Sequence, residues 1–219
     1  MILALADSSL QLLPELAAFD ASTRTLYVAD LHLGKAAAFR DAGVPLPDGS
    51  DAETLEALST LILRVNPQSL VILGDVFHDR ISRREALHTL LCAWLAAQSR
   101  LALTIVPGNH DRRIQWEEWF PRAEILTPGT LLGNWALHHH PPDLPPGSGL
   151  ALCGHLHPGI SLSRPGIRGV TAPCFWLQEK VLTLPAFGTF TGLSIVTRTA
   201  EHRFFVSLRK QVVEVPVPA

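Results

Sequence analysis

The sequence predicts an α/β fold in which two packed β-sheets are flanked by helices. Up to residue 106, short apolar runs alternate with amphipathic segments, a pattern typical of a parallel sheet with helices on its faces. Beyond residue 125 the chain becomes mostly strands and turns, which a second sheet would accommodate. Hydrophobic residues make up 47% of the 219 residues, and we expect a single domain over residues 1–219.

Turn residues and helix caps divide the first half into elements. Ser50 followed by Glu53, and Ser82 followed by Glu85, each match a capping box at the start of a helix. Pro67 ends the first of these helices because proline cannot continue it. The predicted elements are a strand pair at 9–19 and 23–29, a helix from residue 50, a strand at 70–73, a helix from residue 82 and a strand at 101–106.

Composition limits the classes of partner and compartment. The net charge is −2, which argues against a long nucleic-acid groove but permits a short local contact. No apolar run reaches the roughly 18–20 residues that span a bilayer, and Asp7 interrupts the first apolar stretch. We therefore expect a cytoplasmic protein without a membrane partner. The three cysteines form no CxxC pair, which favours buried thiols in a reducing compartment.

Five short segments carry metal-binding side chains directly after strand-like runs. Strand ends are where an α/β protein places its chemistry, and alternate residues leaving a strand share one side. No cysteine belongs to the set, which favours Mn²⁺, Fe or Zn²⁺ over a thiolate-bound structural zinc. The segments are Asp30-Leu31-His32, Gly74-Asp75, Gly108-Asn109-His110-Asp111, His138-His139-His140 and Gly154-His155-Leu156-His157.

In order and spacing these segments resemble the calcineurin-like metallophosphoesterase superfamily. Longer strings resemble its compact bacterial ICC-like group, some members of which are called ligase-associated DNA damage response endonucleases. The resemblance implies a four-layer αββα sandwich of two mixed β-sheets flanked by helices. The strings are DLHLGK (30–35), LGDVFH (73–78), GHLHP (154–158) and LPAFGTFTG (184–192).

The resemblance also implies two divalent metal ions, with Mn²⁺ the first expectation and Fe or Zn²⁺ the alternatives. In relatives with an H-x-P string the ligand lies two residues before the proline, which is His139 here, although strand alternation could present His138 instead. His140 is expected to be exposed or to lie behind the ligands. The implied ligands are Asp30, His32 and His157 for the first ion, Asn109, His155 and His139 for the second, and Asp75 between them.

His110 is the candidate acid for the leaving group and a candidate contact to the phosphate. Many relatives orient this histidine with a carboxylate three residues after the bridging aspartate, but His78 occupies that position here, with Asp79 beside it. Lys35 and Arg112 are the first candidates to bind substrate phosphates. Further candidates for phosphate contacts are Arg40, Arg80, Arg83, Arg84 and Arg113. Trp116 and Trp119 could stack on a nucleobase, although core or lid packing is the favoured explanation for them.

The predicted function is two-metal hydrolysis of phosphodiester bonds by a metal-activated hydroxide, with Asp75 and His110 as catalytic residues. The resemblance implies a DNA endonuclease linked to DNA repair, and a functional link to an ATP-dependent DNA ligase and helicase. A first alternative is a phosphodiesterase or phosphatase for a cyclic nucleotide or nucleotide-linked metabolite, which the near-neutral charge favours. A second is a scaffold that has kept the fold and lost catalysis.

Overall fold

The structure is a computed structural model that describes residues 1–5, 8–78, 84–143, 149–164, 167–208 and 210–216. Its first sheet is mixed: β1 to β4 pair antiparallel, and β4 to β7 pair parallel. The strands follow the chain in the order β1-β2-β3-β4-β5-β6-β7. They are β1 (Ile2–Leu5), β2 (Ser8–Leu13), β3 (Ala17–Asp20), β4 (Thr25–Val28), β5 (Ser69–Leu73), β6 (Ala102–Val106) and β7 (Glu124–Ile125).

The second sheet is also mixed, and its strands lie between residues 130 and 215. β10 lies between β9 and β13 and is parallel to both, whereas β8, β12, β15 and β16 add antiparallel pairs. Its strands are β8 (Thr130–Leu132), β9 (Trp135–Leu137), β10 (Leu150–Cys153), β11 (Pro158–Arg164), β12 (Ile167–Gln178), β13 (Val181–Thr183), β14 (Ser194–Ile195), β15 (His202–Leu208) and β16 (Gln211–Val215). The two mixed sheets confirm the predicted fold class.

Strand periodicity divides the interior into two apolar layers. Tyr27 and Val71 face the second sheet, where they join Trp135, Phe175 and Phe205 in the sandwich core. Their sequence neighbours face the opposite way, because successive side chains in a strand alternate between faces. Leu26, Val28, Leu70 and Ile72 thus pack with the helices.

The helices are α1 (Lys35–Asp41), α2 (Ser50–Val65), α3 (Arg84–Ala97) and α4 (Trp116–Trp119). Side chains of α2, α3 and α4 pack on the first sheet. On the outer face of the second sheet, Ala151, Cys153 and Val181 form a small apolar cluster. None of the described helices is long and apolar enough to cross a membrane.

Three local predictions are corrected. Residues 9–19 form two strands rather than one, because the chain turns at 14–16 and Leu16 has a φ of 64°. Ser50 is the first residue of α2 and not its cap: Gly49 is the N-cap, and no side chain caps it. Cys92 is exposed, while Cys153 and Cys174 are buried as expected. The second capping box begins at Ser82, which lies outside the described residues.

Candidate metal centre

The five predicted segments meet at one edge of the sandwich, where β4, β5, β6, β9 and β10 end. Backbone hydrogen bonds join the segments to one another. The Asp30 and His32 amides donate to the Gly74 and Asp75 carbonyls at 3.1 and 2.9 Å, and the Gly154 amide donates to His139 at 3.0 Å. The segments therefore form one connected layer of loops, and their side chains share one site.

Many residues in this layer have a left-handed backbone conformation, which is strained for residues other than glycine. In the described part of the chain, nine residues other than glycine have a positive φ, and five of them are predicted ligands. Left-handed backbone costs such a residue roughly 1–2 kcal/mol. Strain of this kind is kept where the surrounding structure enforces it, commonly at functional sites. The five are Asp30, His32, Asp75, His155 and His157, with φ between 46° and 69°.

Asp30, His32 and His157 form the first group of converging donors. The Nε2 atoms of His32 and His157 are 3.1 Å apart, and His157 Nε2 lies 3.8 Å from Asp30 Oδ1. Burial lowers the pKa of His32 to about 3, with the charge of Asp75 opposing the shift. His32 is thus neutral at pH 7, as a ligand must be, and its Nε2 points towards a second nitrogen.

Asp75 lies between two sets of nitrogen atoms. Its Oδ1 is 3.4 Å from His139 Nε2, and its Oδ2 is 3.8 Å from His32 Nε2. Burial alone would raise the pKa of Asp75. The hydrogen bond and the charge of His139, with the hydrogen bond from the His110 amide, instead hold this pKa at about 2. The carboxylate is therefore ionised at neutral pH, with one oxygen directed to each side.

His139 is the member of the histidine triplet that lies beside the aspartates. It lies two residues after the buried Leu137, on the same side of the chain, and is 1% exposed. Its Nδ1 lies 3.2 Å from the Leu73 carbonyl and its Nε2 lies 3.0 Å from Asn109 Oδ1. Burial would lower the pKa of His139, but the hydrogen bond and the charge of Asp75 raise it. A divalent cation bound at Nε2 would take the place of the proton that this nitrogen shares with Asp75. His138 is directed elsewhere, towards Gly129.

His155 and His140 extend the site beyond His139. The three imidazoles offer ligand atoms within 4.8 Å of one another. The His155 amide donates to both oxygens of Asp30, at 3.1 and 2.9 Å. Burial and then the charges of His140 and His139 lower the pKa of His155 to about 4, so it is neutral at pH 7. His140 is exposed, as predicted, but it lies near enough to be a further candidate ligand, which sequence reasoning had not included.

Asp111 is a site residue to which the sequence analysis assigned no role. It is 2% exposed, and its carboxylate accepts backbone hydrogen bonds from Gly108, Val76 and Phe77 at 2.8, 3.3 and 3.1 Å. These bonds connect the loop after β6 to the loop after β5. Its position as the last residue of the Gly-Asn-His-Asp segment could have identified it in the sequence. Asp111 fixes the two loops and does not face the centre.

His110 stands at the mouth of the site. Its side chain is 32% exposed, and its Nε2 lies 3.9 Å from Asp75 Oδ2. Its ring stacks on His78, with centroids 5.3 Å apart and an interplanar angle of 23°, and contacts the edge of His32. His78 thus orients this ring by stacking. Asp79, the other candidate for that task, lies outside the described residues.

Two of the candidate cations lie near the centre, Lys35 beside His32 and Arg112 beside Asn109. Burial lowers the pKa of Lys35, and the charges of Asp75 and Asp30 oppose that shift. Arg112 is exposed and lines a cavity of about 360 Å³ with Asn109 and His139. Arg40 is instead held by Asp48 at 2.8 Å and by the Pro47 carbonyl at 2.8 Å.

The remaining candidates are packed in the core, exposed at the surface or not described. Trp119 is 1% exposed and packs on Phe77 with ring centroids 4.7 Å apart, and Trp116 packs partly buried beside it. Core packing therefore explains both tryptophans. Arg113 is exposed. Arg80, Arg83 and the side chain of Arg84 lie outside the described residues.

Comparison with protein families accounts for this arrangement. A model of the calcineurin-like phosphoesterase family matches residues 23–157, the part of the chain that carries all five segments. The chain belongs to this family. It is therefore a metal-dependent phosphoesterase, a hydrolase of phosphoric esters.

Solved structures extend the likeness over the whole chain. The nuclease MPE of Pseudomonas putida matches with a TM-score of 0.80 and 28% identity, covering 98% of this chain and 99% of that one. Yfce, a phosphoesterase from E. coli, matches with a TM-score of 0.46 and 16% identity, covering 89% and 99%, and this weaker likeness supports no conclusion. No curated protein sequence matches the phosphoesterase.

The donor set fits divalent metal ions. Asp30 and Asp75 are 0% and 2% exposed and, with His139, offer ligand atoms within 4.8 Å of one another. Two buried carboxylates repel each other, and burial raises the pKa of Asp30. In the described residues their close ion-pair contacts are with histidines. A divalent cation would neutralise both, and nitrogen with oxygen donors suits the metals that the family uses.

Replacement of His139 by alanine is expected to lower the number of Mn²⁺ ions bound per chain, whereas His138→Ala should leave it unchanged. Loss of a residue that hydrogen-bonds to a metal ligand costs about 10–100-fold in metal affinity, and loss of the ligand itself should cost at least as much. Metal content after gel filtration, measured by mass spectrometry, checks this. An ion lost from His138→Ala and kept by His139→Ala would show that the other histidine is the ligand.

Proposed function

We propose that the phosphoesterase binds two divalent metal ions side by side and hydrolyses phosphodiester bonds of nucleic acid, acting as a nuclease. The observation that carries this proposal is the position of Asp75, with Oδ1 at 3.4 Å from His139 and Oδ2 at 3.8 Å from His32. A carboxylate shared by two donor groups suits two ions about 3.5–4 Å apart.

The proposed ligands divide into two sets around Asp75. Asp30, His32 and His157 hold the first ion, and Asn109, His139 and His155 hold the second. Mn²⁺ is the metal we propose, with Fe or Zn²⁺ as alternatives, because all donors are nitrogen or oxygen. When bound, the two cations lower the pKa of water towards 7 and neutralise the oxygens of the phosphate.

The side chains around the ions complete the reaction. Lys35, near His32, and Arg112, near Asn109, hold the phosphate and the chain that continues from it. His110, at the mouth, carries a proton to the leaving oxygen. The P–O bond to that oxygen breaks, water supplies the new P–O bond, and the products are a phosphomonoester and an alcohol. Proton donation of this type contributes roughly 10²–10⁴-fold to the rate.

Nucleic acid is the substrate class that the structural comparison favours. The structure similar over 98% of this chain is that of a nuclease, at 28% identity. A role in DNA repair, the link to an ATP-dependent DNA ligase and helicase, and a cytoplasmic location stay predictions. All seven proposed ligands lie at this one site, which supports catalysis over a scaffold that has lost it.

A second candidate is a phosphodiesterase for small nucleotide-linked esters. The net charge of −2 favours it, because proteins that bind long stretches of nucleic acid are usually clearly basic. Two flanking cations suffice for one or two phosphates, so this reading requires the same centre and a shorter substrate.

Activity of the purified protein with Mn²⁺ separates these functions. The substrates are a phosphodiester reporter, a phosphomonoester reporter, supercoiled DNA and single-stranded DNA. The nuclease proposal predicts cleavage of DNA and of the diester. Hydrolysis confined to the small esters would identify the second candidate, and no hydrolysis of any substrate would contradict both.

A further inference from the structure

We propose that Phe39 and Phe190 form a base-stacking subsite, which binds the unpaired nucleobase next to the scissile phosphate. This inference rests on the proposed nuclease function and adds to it the group that recognises the nucleoside. The two rings contact each other edge to face, with centroids 5.9 Å apart and an interplanar angle of 82°.

Both phenylalanines present apolar surface to solvent. Phe39 is 39% exposed and Phe190 is 36% exposed, although the fold buries other phenylalanines, such as Phe77 and Phe187, almost completely. Contiguous apolar surface rimmed by polar residues is typical of binding sites, and these two rings adjoin each other and the polar centre.

The pair continues directly into the metal centre through a row of rings. The ring of Phe39 lies 6.2 Å from that of His78, which lies 5.3 Å from His110, which lies 5.3 Å from His32. Phe39 is therefore the next ring after the stacked pair of His78 and His110. A base attached to a phosphate at the centre would reach it.

Helix α1 supplies a phosphate contact and a base contact together. Lys35 and Phe39 are four residues apart, so they lie on the same side of the helix, with Cβ atoms about 5–6 Å apart. The ammonium group of Lys35 lies in the field of Asp75 and Asp30. A phosphate held by Lys35 thus has an aromatic ring one helical turn away, a spacing that suits one nucleotide.

Hydrogen bonds anchor the chain directly before Phe190. The Gly188 amide donates to the Asp30 carbonyl at 3.2 Å, and a Cβ on Gly188 would lie 2.3 Å from the Leu31 carbonyl oxygen. Thr189 donates from its amide to Thr54 Oγ1 at 3.2 Å and from its hydroxyl to the Ser50 carbonyl at 3.1 Å. The backbone that carries Phe190 is thus anchored both to the loop of Asp30 and to α2 before substrate arrives, which limits the entropy lost on binding.

A nucleobase is the occupant that this surface fits. Its flat face stacks on aromatic side chains for about 1–3 kcal/mol per base, whatever the base. The base must be unpaired, since a paired base hides its faces in the duplex stack. An apolar protein partner would cover the same rings but would not alter the choice between two small esters.

The test compares two phosphodiesters that differ in the nucleoside: thymidine 5′-(p-nitrophenyl phosphate) and methyl p-nitrophenyl phosphate, both with Mn²⁺. In Phe39→Ala and Phe190→Ala, the ratio of kcat/KM for the first ester to that for the second is expected to fall about 5- to 150-fold. Phe39→Leu should show a similar fall, because leucine keeps apolar bulk without a flat face, and Phe39→Trp should keep the ratio. Leu63→Ala, at an 81% exposed position on α2, is the matched control.

Each outcome distinguishes the subsite from the function on which it rests. An unchanged ratio in active Phe39→Ala and Phe190→Ala would overturn the subsite alone. An equal loss on both esters would do the same, because it would assign the rings a structural role. If the wild-type protein hydrolyses neither ester, the proposed function falls and the subsite with it.

Discussion

Asp75→Asn is expected to reduce phosphodiester hydrolysis by at least about 10²-fold and to lower the number of metal ions bound per chain. Substitution of a residue that only hydrogen-bonds to a metal ligand already costs about 10–100-fold in metal affinity or activity. Substitution of a ligand itself should cost at least as much. The substitution keeps the shape of the side chain, and the amide oxygen can still accept the hydrogen bond from the His110 amide, 2.9 Å long in the wild type. It removes the negative charge and replaces one of the two oxygens that face His139 and His32 with a donor.

Hydrolysis of a p-nitrophenyl diester and metal content by mass spectrometry check this on the same preparation. Glu201→Gln, an exposed carboxylate in the turn before β15, is the matched control and should behave as wild type. An Asp75→Asn protein that keeps its full metal complement and rate would contradict the shared-carboxylate arrangement. The melting temperature separates a lost ion from a lost fold.

His110→Ala is expected to lower turnover at least about tenfold while the metal content stays as in the wild type. The side chain is 32% exposed and touches the His32 ligand only at its ring edge, and the hydrogen bond to Asp75 comes from the His110 backbone amide, which alanine keeps. Its removal should therefore not release an ion. Proton donation contributes roughly 10²–10⁴-fold when the leaving group is a poor one.

The leaving group provides the sharper readout of this role. A p-nitrophenolate leaves without a proton, whereas the alkoxide of a nucleoside needs one, so the loss in His110→Ala should be much greater for DNA than for the p-nitrophenyl diester. His202→Ala, at a histidine on β15, is the control. Equal losses on both substrates would contradict proton donation, and an unchanged rate on DNA would remove His110 from the mechanism.

The position of the site was predictable from sequence because strand periodicity and strand ends are local properties. Apolar runs such as Leu70 to Leu73 mark buried strands, and polar residues directly after them must lie at the carboxyl edge. The choice within the histidine triplet was not local. It depends on which face of β9 is turned inwards, and the packing of Trp135 and Leu137 in the sandwich core directs His139 to the aspartates.

What the sequence analysis missed depends on contacts between distant segments. Helix α1 has no side-chain cap; instead the Gly34 amide donates to Asp51 Oδ1 of α2, at 2.8 Å. Asp111 acts on the backbone of a loop 35 residues away. Phe39 and Phe190 are 151 positions apart in the chain and meet only in the fold. No periodic pattern in one sequence shows such pairs.

The central feature of the proposed centre is that two metal ions share Asp75. A crystal of the protein grown with Mn²⁺, with anomalous scattering measured at the manganese edge, tests this directly. The account predicts two peaks about 3.5–4 Å apart, one beside His32 and His157 and one beside Asn109 and His139, with Asp75 bound to both. A single fully occupied ion, or two ions of which only one touches Asp75, would contradict it.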